Sequence, residues 1–284
     1  MIVSAFAKIN LSLDITGRRT DGYHTLRMVM QSISLCDTVC VEPVAGAEIR
    51  VLCNGGFAPC DRTNTAYRAA KAFQKAARVD SGGLNIEIQK RIPSEAGLGG
   101  GSADAAAVLR ALNSVYRAGL SEDCLRKIGL SVGADVPFCV SGGTALVEGI
   151  GEKIAPVGAL PECSIVVCRP SIGISTVGAY TAFDQSGSAP SHYTDSVLKA
   201  LGTGSVESIG RSLGNTFEQA GVPDDIPQIE RIMRTFGSEG ACMTGSGSAV
   251  YGLFRRTGDA HNCRRALAQK YPLVFLCSPV GRYN

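Results

Sequence analysis

Pro93-Ser94-Glu95-Ala96-Gly97-Leu98-Gly99-Gly100-Gly101-Ser102-Ala103-Asp104-Ala105-Ala106 is the stretch that orders the rest of the chain. Pro93 ends a strand-like alternation (Leu84, Ile86, Ile88), and a helix dense in alanine and leucine is expected from about Ala103 to Tyr116. Between the two, Gly97, Gly99, Gly100 and Gly101 leave the backbone bare, so its N–H groups can crowd round an anion. The N-terminus of the following helix adds partial positive charge. No Gly-Lys-Ser/Thr ends the run, so it is not a Walker loop, and no ribose-binding acid follows a GxGxxG. A flexible turn before a helix is the plain alternative; the glycine density and Ser102 at the helix start favour phosphate.

Outward from this loop, strands and helices intermix without strict βαβ alternation, which predicts an α+β fold. Near the N-terminus, Ala7, Ile9, Leu11, Leu13 and Ile15 alternate with Lys8, Asn10, Ser12 and Asp14 as the two faces of a strand. A turn at Gly17–Gly22, a strand over Met28–Val44 and another over Glu48–Cys53 follow. A helix is expected over 63–79, capped by Thr63 or Asn64, with a stripe of Ala66, Ala69, Ala70, Phe73, Ala76 and Ala77. Beyond the loop come a helix from the Ser121 cap to Leu130 and a strand at Thr144–Glu148. Pro156 and Pro161 mark a boundary in 155–163, giving domains 1–158 and 159–284. The second half reads as a strand at Ser164–Cys168, a short helix at Ser175–Phe183 and a Ser/Gly/Pro loop at Gln185–His192. Helices at 206–220 and 225–236, a strand–loop–strand at Ala241–Phe254, a helix at 259–270 and a strand at 273–278 complete it.

Composition removes several classes. The 284 residues are 45% hydrophobic and 19% charged, which suits a packed core, and a net charge of +3 is too mild for a nucleic-acid protein. Glycine, at 34 residues, is about 12% against a background of about 7%. The eleven cysteines contain no CxxC and only three histidines accompany them, so no zinc site is expected. No charged leader precedes an apolar run and no stretch approaches a membrane span. A small anionic ligand in a reducing cytoplasm is the expectation, with the cysteines acting as small hydrophobes.

Single residues are ambiguous. Lys8 and Asn10 could be the solvated side of a half-exposed strand. Asp135, in Gly133-Ala134-Asp135-Val136-Pro137, could cap or close a turn, with Pro137 holding Val136 extended. Tyr23-His24 could be edge packing, and Thr244-Gly245-Ser246-Gly247-Ser248 could be an ordinary hairpin turn.

Their combination resembles the GHMP kinase superfamily. Ala5-Phe6-Ala7-Lys8-Ile9-Asn10-Leu11, continuing through Gly17-Arg18-Arg19-Thr20-Asp21-Gly22-Tyr23-His24, is similar to the N-terminal motif of one branch of that superfamily. The stretch Pro93–Ala106 is similar to its phosphate loop, and Gly133–Phe138 and Thr244–Ser248 supply two further motifs in the expected order. The resemblance implies two GHMP kinase domains, the first like domain 2 of ribosomal protein S5 and the second ferredoxin-like, with the active site in the cleft between them. The Gly-Tyr-His element points to the branch that moves the γ-phosphoryl group of ATP to the 2-hydroxyl of 4-diphosphocytidyl-2-C-methyl-D-erythritol, in non-mevalonate isoprenoid synthesis.

The resemblance also implies roles. Asp135 would accept or orient the hydroxyl proton, with Lys8 between it and the γ-phosphate. Pro93, Gly97, Leu98, Gly99, Gly100, Gly101, Ser102 and Ala103 would hold ATP, joined by Asn64 and Lys90. Magnesium would neutralise phosphate charge, with Ser102 as a candidate ligand; Ala103 stands where many members carry a second serine. Tyr23 and Tyr180 (or Phe183) would sandwich cytosine, and His24 would read its edge. Asn10 would bond the sugar-alcohol or phosphate end, and Thr176, Gly245, Ser246 and Gly247 would close the far wall. A monomer or homodimer is expected, with no nucleic-acid or membrane partner. The rivals are a homoserine or mevalonate-type kinase and a catalytically silent nucleotide-binding relative.

Overall fold

The computed structural model describes residues 1–54, 58–79, 82–187 and 191–283. Two long strands, β1 (Ile2–Arg18) and β2 (His24–Val44), pair antiparallel from Ile2↔Cys40 to Arg18↔His24. The chain continues through β3 (Ile49–Cys53), α1 (Thr65–Ala77), β4 (Gly83–Gln89), α2 (Gly100–Val115), α3 (Glu122–Leu130), α4 (Val136–Ser141), β5 (Thr144–Gly149) and β6 (Lys153–Pro156). The sheet runs β3-β4-β2-β1. Because β2 is so long, it pairs with β4 over Thr38–Val44 and with β5 over Leu26–Gln31. Asn64 caps α1, its side chain accepting from Ala66 N–H, and Ala66, Ala69, Ala70 and Phe73 are buried as their spacing requires; Ala76 is exposed.

The second half contains β7 (Ser164–Arg169), α5 (Thr176–Ser186), α6 (Tyr193–Leu201), α7 (Val206–Ser212), β8 (Gly214–Asn215), a 3-10 turn (Thr216–Ala220), α8 (Asp225–Thr235), β9 (Gly240–Met243), β10 (Val250–Phe254), α9 (Thr257–Ala268) and β11 (Leu273–Cys277). Its sheet is antiparallel in the order β11-β7-β10-β9. With helices between β7 and β9 and between β10 and β11, this is the ferredoxin-like βαββαβ arrangement. The halves are stitched together twice. β8 joins the first sheet beside β1, pairing Ser12 with Gly214 and Leu13 with Asn215. The C-terminal residues return to pair Pro279 with Ile33 and Arg282 with Gly142.

These crossings bury the polar face of β1 as fully as the apolar one. Asp14 accepts from Tyr193 N–H (3.0 Å) and Thr194 N–H (2.8 Å), so a residue of β1 caps α6, and Ser12 Oγ meets Thr194 Oγ1 at 2.9 Å. Four expectations need correction for related reasons. The helix after the glycine loop starts at Gly100, with Gly99 in its N-cap position, rather than at Ala103. Val136 is helical, because Pro137 lies in the first turn of α4, where no N–H is needed. The single helix over 206–220 is interrupted where Gly214 passes under the Tyr193 ring, 2.2 Å from where a Cβ would sit. α6 arises in a region with no expected helix.

Lys90 also departs from expectation. It is 8% exposed, and its Nζ lies 2.5 Å from Asp37 Oδ2 and 2.6 Å from Asp104 Oδ2, beneath the start of α2. Asp37 Oδ1 accepts from the N–H groups of Arg91 (2.5 Å) and Ile92 (2.8 Å). The ammonium thus ties β2 and the end of β4 to the start of α2. Removing one partner of a buried ion pair costs about 3–5 kcal/mol, since the other charge is left uncompensated. Lys90→Met is therefore expected to lower unfolding free energy by about that amount in urea titration.

Glu218, in the 3-10 turn, accepts from Met243 N–H at 2.6 Å, and burial, then Glu230, push its carboxyl up to about 8. Burial likewise raises Asp104 to about 7, Lys90 opposing. Both groups hold a proton in the folded state above the pH at which the unfolded chain releases it. The stability they contribute is therefore complete below about pH 4 and lost as pH rises through 7 and 8. Tm is expected to fall between pH 5.5 and 8.5, and Glu218→Gln to flatten that decline in thermal melts at matched ionic strength.

Candidate active site

The glycine loop is shaped by two close approaches. Gly97 has φ +72°, and a Cβ there would lie 2.0 Å from Thr244 O; Gly99 has φ +69°, and a Cβ there would lie 3.0 Å from Lys8 Cγ. Glycine alone meets both demands. Lys8 N–H donates to Leu98 O at 3.0 Å, fixing the loop to β1. The first helical bond of α2 runs from Ala103 N–H to Gly99 O (2.8 Å), so the N–H groups of Gly100, Gly101 and Ser102 precede the hydrogen-bonded ladder. These are the free N–H groups of the turn that the sequence reading assigned to an anion. Ala103 itself packs into the core, whereas Ser102 Oγ lies toward Gly133, 3.8 Å from the place of a Cβ there.

Beside the cradle stands Lys8, 4% exposed. Its Nζ donates to Asn10 Oδ1 at 2.8 Å and lies 3.5 Å from Asp135 Oδ2. Asp135 occupies the N-cap position of α4 yet makes no side-chain capping bond, and its side chain is 30% exposed. The turn-capping alternative is therefore removed: the carboxylate faces the ammonium and the cleft. The loop 244–248 closes on the same point, since a Cβ at Gly245 would lie 3.3 Å from Lys8 Nζ.

Two expected contacts are redefined by their partners. Asn10 is 1% exposed; its amide accepts from Lys8 and from Thr244 Oγ1 (3.3 Å) and donates to Met28 Sδ (3.1 Å). It holds the lysine rather than projecting toward a sugar. Asn64 spends its carbonyl on the α1 cap and its amide on Pro59 O at 2.6 Å, so it shapes the chain entering α1.

At the other end of the cleft, Tyr23 is 66% exposed at the β1–β2 turn. His24 is inserted among side chains of α5: its ring stacks on Tyr180 (4.7 Å, 15°) and meets Phe183 edge-on at 6.1 Å. Tyr180 also meets Phe217 edge-on at 5.0 Å. The expected Tyr23–Tyr180 sandwich is thus replaced by a Tyr180–His24 stack. Burial, then the Asp135 carboxylate, push the Tyr180 phenol up to about 12. Thr176 Oγ1 and Ser246 Oγ are 3.2 Å apart, joining the start of α5 to the Thr244–Ser248 loop.

Sequence reasoning missed Asp184, bonded to His24, and placed Thr244 in a motif without a role for its hydroxyl, which links Asn10 to Gly97 O. The i, i+3, i+4 spacing of Tyr180, Phe183 and Asp184 on one helix face was the available signal for the first. Among the described residues, no three His, Cys, Asp or Glu side chains gather as a metal cage. A cavity of about 430 Å³ near Gln31, Thr144 and Val280 includes none of these residues, and its Arg126 and Arg282 both pair with Glu122.

Comparison with known proteins places the chain in a family. Residues 64–143 match the GHMP kinases N terminal domain family, and residues 197–273 match the GHMP kinases C terminal family. The 4-diphosphocytidyl-2-C-methyl-D-erythritol kinase of Clostridium beijerinckii is 40% identical over 97% of this chain and 99% of its own length. That of Caldicellulosiruptor saccharolyticus is 42% identical over 92% and 90%. A crystal structure of 4-(cytidine 5'-diphospho)-2C-methyl-D-erythritol kinase superposes with a TM-score of 0.83 at 35% identity, covering 99% of this chain and all of that one. A mevalonate kinase of L. major shares the fold at 18% identity (TM-score 0.76, 99% and 97% covered). By sequence along its whole length and by fold, the chain belongs to the GHMP kinases, in the family of the 4-diphosphocytidyl-2-C-methyl-D-erythritol kinases.

Proposed function

We propose that the chain transfers the γ-phosphoryl group of ATP to the 2-hydroxyl of 4-diphosphocytidyl-2-C-methyl-D-erythritol, giving the 2-phosphate and ADP. The observation that carries this reading is the Lys8–Asp135 pair, 3.5 Å apart and directly beside the glycine cradle. The substrate oxygen forms the new bond to phosphorus, the bond from the γ-phosphorus to the ADP oxygen breaks, and the hydroxyl proton passes to an Asp135 oxygen. Lys8 Nζ, fixed by Asn10, faces the negative charge carried by the transferring group. The N–H groups of Gly100, Gly101 and Ser102 hold phosphate oxygens without reorganising, which is where most of phosphoryl-transfer catalysis lies.

Magnesium fits the donors present, because it is commonly bound through substrate phosphates, waters and one or two protein oxygens; Ser102 Oγ and Asp135 would serve, and the ion supplies charge neutralisation. Tyr23, the exposed ring beside His24, supports stacking of the base. No helix among the described residues is long and apolar enough to cross a membrane. A cytoplasmic reaction fits the ATP and nucleotide-conjugate substrates, carried out by a monomer or homodimer.

ADP release from the purified protein with Mg-ATP should occur with the cytidine compound and not with homoserine, mevalonate or uncytidylated methylerythritol phosphate. Turnover of one of those alcohols instead would keep the chemistry and overturn the substrate. Asp135→Asn should lower kcat by about 10²–10⁴ with an unchanged melting curve; near-normal kcat would remove Asp135 from proton transfer. Tyr23→Ala should raise KM for the cytidine substrate by a factor corresponding to about 1–3 kcal/mol of stacking and leave that for ATP unchanged. Equal movement of both KM values would make the ring structural.

A further inference from the structure

Asp184 lies outside every sequence motif that marks the site, yet among the described residues it makes the one side-chain hydrogen bond to the His24 ring. Its Oδ1 is 2.8 Å from His24 Nε2, while its other oxygen pairs with Arg18 at 3.3 Å. An ionised carboxylate can only accept, so the hydrogen of this bond belongs to Nε2. The ring has no freedom to turn over: Tyr180 covers one face, Phe183 meets it edge-on, and the His24 side chain is 8% exposed. Among the described residues Nδ1 has no hydrogen-bond partner. With Nε2 carrying the hydrogen, the neutral ring presents Nδ1 as a bare acceptor.

That choice of tautomer has a chemical consequence, and it rests on the cytidine reading above. Cytosine carries a donating amino group at C4, whereas uracil carries an accepting carbonyl oxygen at the same place. We propose that Asp184 is a positioning residue that locks the Nε2–H tautomer of His24, so that Nδ1 accepts from the cytosine amino group and turns away uracil. Arg18 supports this by occupying the second carboxylate oxygen, which directs Oδ1 at the imidazole. The opposite tautomer would offer a donor and favour the uracil oxygen. Sites built to complete a hydrogen bond reject the analogue that cannot make it far more strongly than apolar pockets reject a missing methylene.

The test compares the wild type, Asp184→Ala, Asp184→Asn, His24→Ala and the His24→Ala/Asp184→Ala double variant, each with the cytidine substrate and its uridine counterpart. The Asp184 carboxylate is about one-third exposed, and the asparagine variant preserves its shape. Asp184→Ala is expected to raise KM for the cytidine compound about tenfold while leaving KM for ATP and kcat within about twofold. The cytidine-to-uridine ratio of kcat/KM should fall about tenfold, less in Asp184→Asn, and the double variant should be no worse than His24→Ala. The ¹⁵N spectrum of histidine-labelled protein, with His24 assigned by its loss in His24→Ala, should show a protonated Nε2 and a bare Nδ1, giving way to a tautomer mixture in Asp184→Ala. An unchanged nucleotide ratio, an additive double variant or a hydrogen on Nδ1 in the wild type would overturn the proposal. Calorimetric binding of cytidine diphosphate against uridine diphosphate separates it from the reaction itself. A wild type that turns over neither compound but prefers cytidine diphosphate, and loses that preference in Asp184→Ala, would end the kinase reading and keep this one. Equal binding of the two nucleotides would end this one.

Discussion

A lysine ammonium held out of water between three loops is the constraint on which the site depends. Lys8 has one carboxylate at 3.5 Å and one amide oxygen at 2.8 Å, modest compensation for an ammonium that is 4% exposed. Everything near it is arranged to make that burial possible. Its backbone N–H holds Leu98 O, Gly99 lacks the Cβ that would strike its stem, and Gly245 lacks the Cβ that would crowd its head. Asn10, two residues along the same strand face, turns its oxygen toward Lys8 because Thr244 and Met28 occupy its other bonding directions. A cradle of backbone N–H groups and a buried cation on one side, with a single carboxylate on the other, leaves net positive character where triphosphate oxygens would lie.

The same strand explains why the two halves of the chain form one working unit. Along β1, successive polar residues reach across to the second half of the chain or to the loops around Lys8. Lys8 reaches the Asp135 turn, Asn10 reaches Thr244, Ser12 reaches Thr194, and Asp14 caps α6. The Tyr251 hydroxyl adds a bond to Asn10 O at 2.8 Å. A strand with one face in its own sheet's core and the other paired to a second domain fixes both with a precision that surface loops would not give.

What was legible in the sequence was what is local. Asn64 caps α1 and Ser121 caps α3 with bonds to residues two and three positions on, and the alternation of Ala7 to Ile15 marks a real buried face. The glycine loop could be read because the need for bare backbone is written in the residue type itself. What was not legible depends on partners far along the chain. α6 owes its start to Asp14, about 180 residues earlier, so no local cap announces it. The helix expected over 206–220 yields to a strand pairing with β1, which local propensity does not contain. Lys90 and Asn10 have the residue types of ligands, but Asp37, Asp104 and Thr244 claim them first. Tyr180 has the type of a base-stacking ring, and its face is taken by His24.

The cleft thus has two ends built to different standards of rigidity. The end proposed to react is made from β1, the first turn of α2 and the Asp135 turn, all anchored in the core by backbone bonds and close contacts. The end proposed to read the base is made from the tip of the β1–β2 hairpin and from α5, where Arg18, Tyr23 and Asp184 are accessible to solvent. Thr176 and Ser246 are a direct hydroxyl link between α5 and the catalytic loops. Groups at the rim can select a nucleotide at encounter without disturbing the spacing of Lys8, Asp135 and the phosphate cradle. Phosphoryl transfer depends on that spacing to within fractions of an ångström. On the proposed reading, recognition sits on the rim and chemistry on a buried strand, so a change at the hairpin tip or the α5 face leaves the Lys8–Asp135 spacing untouched.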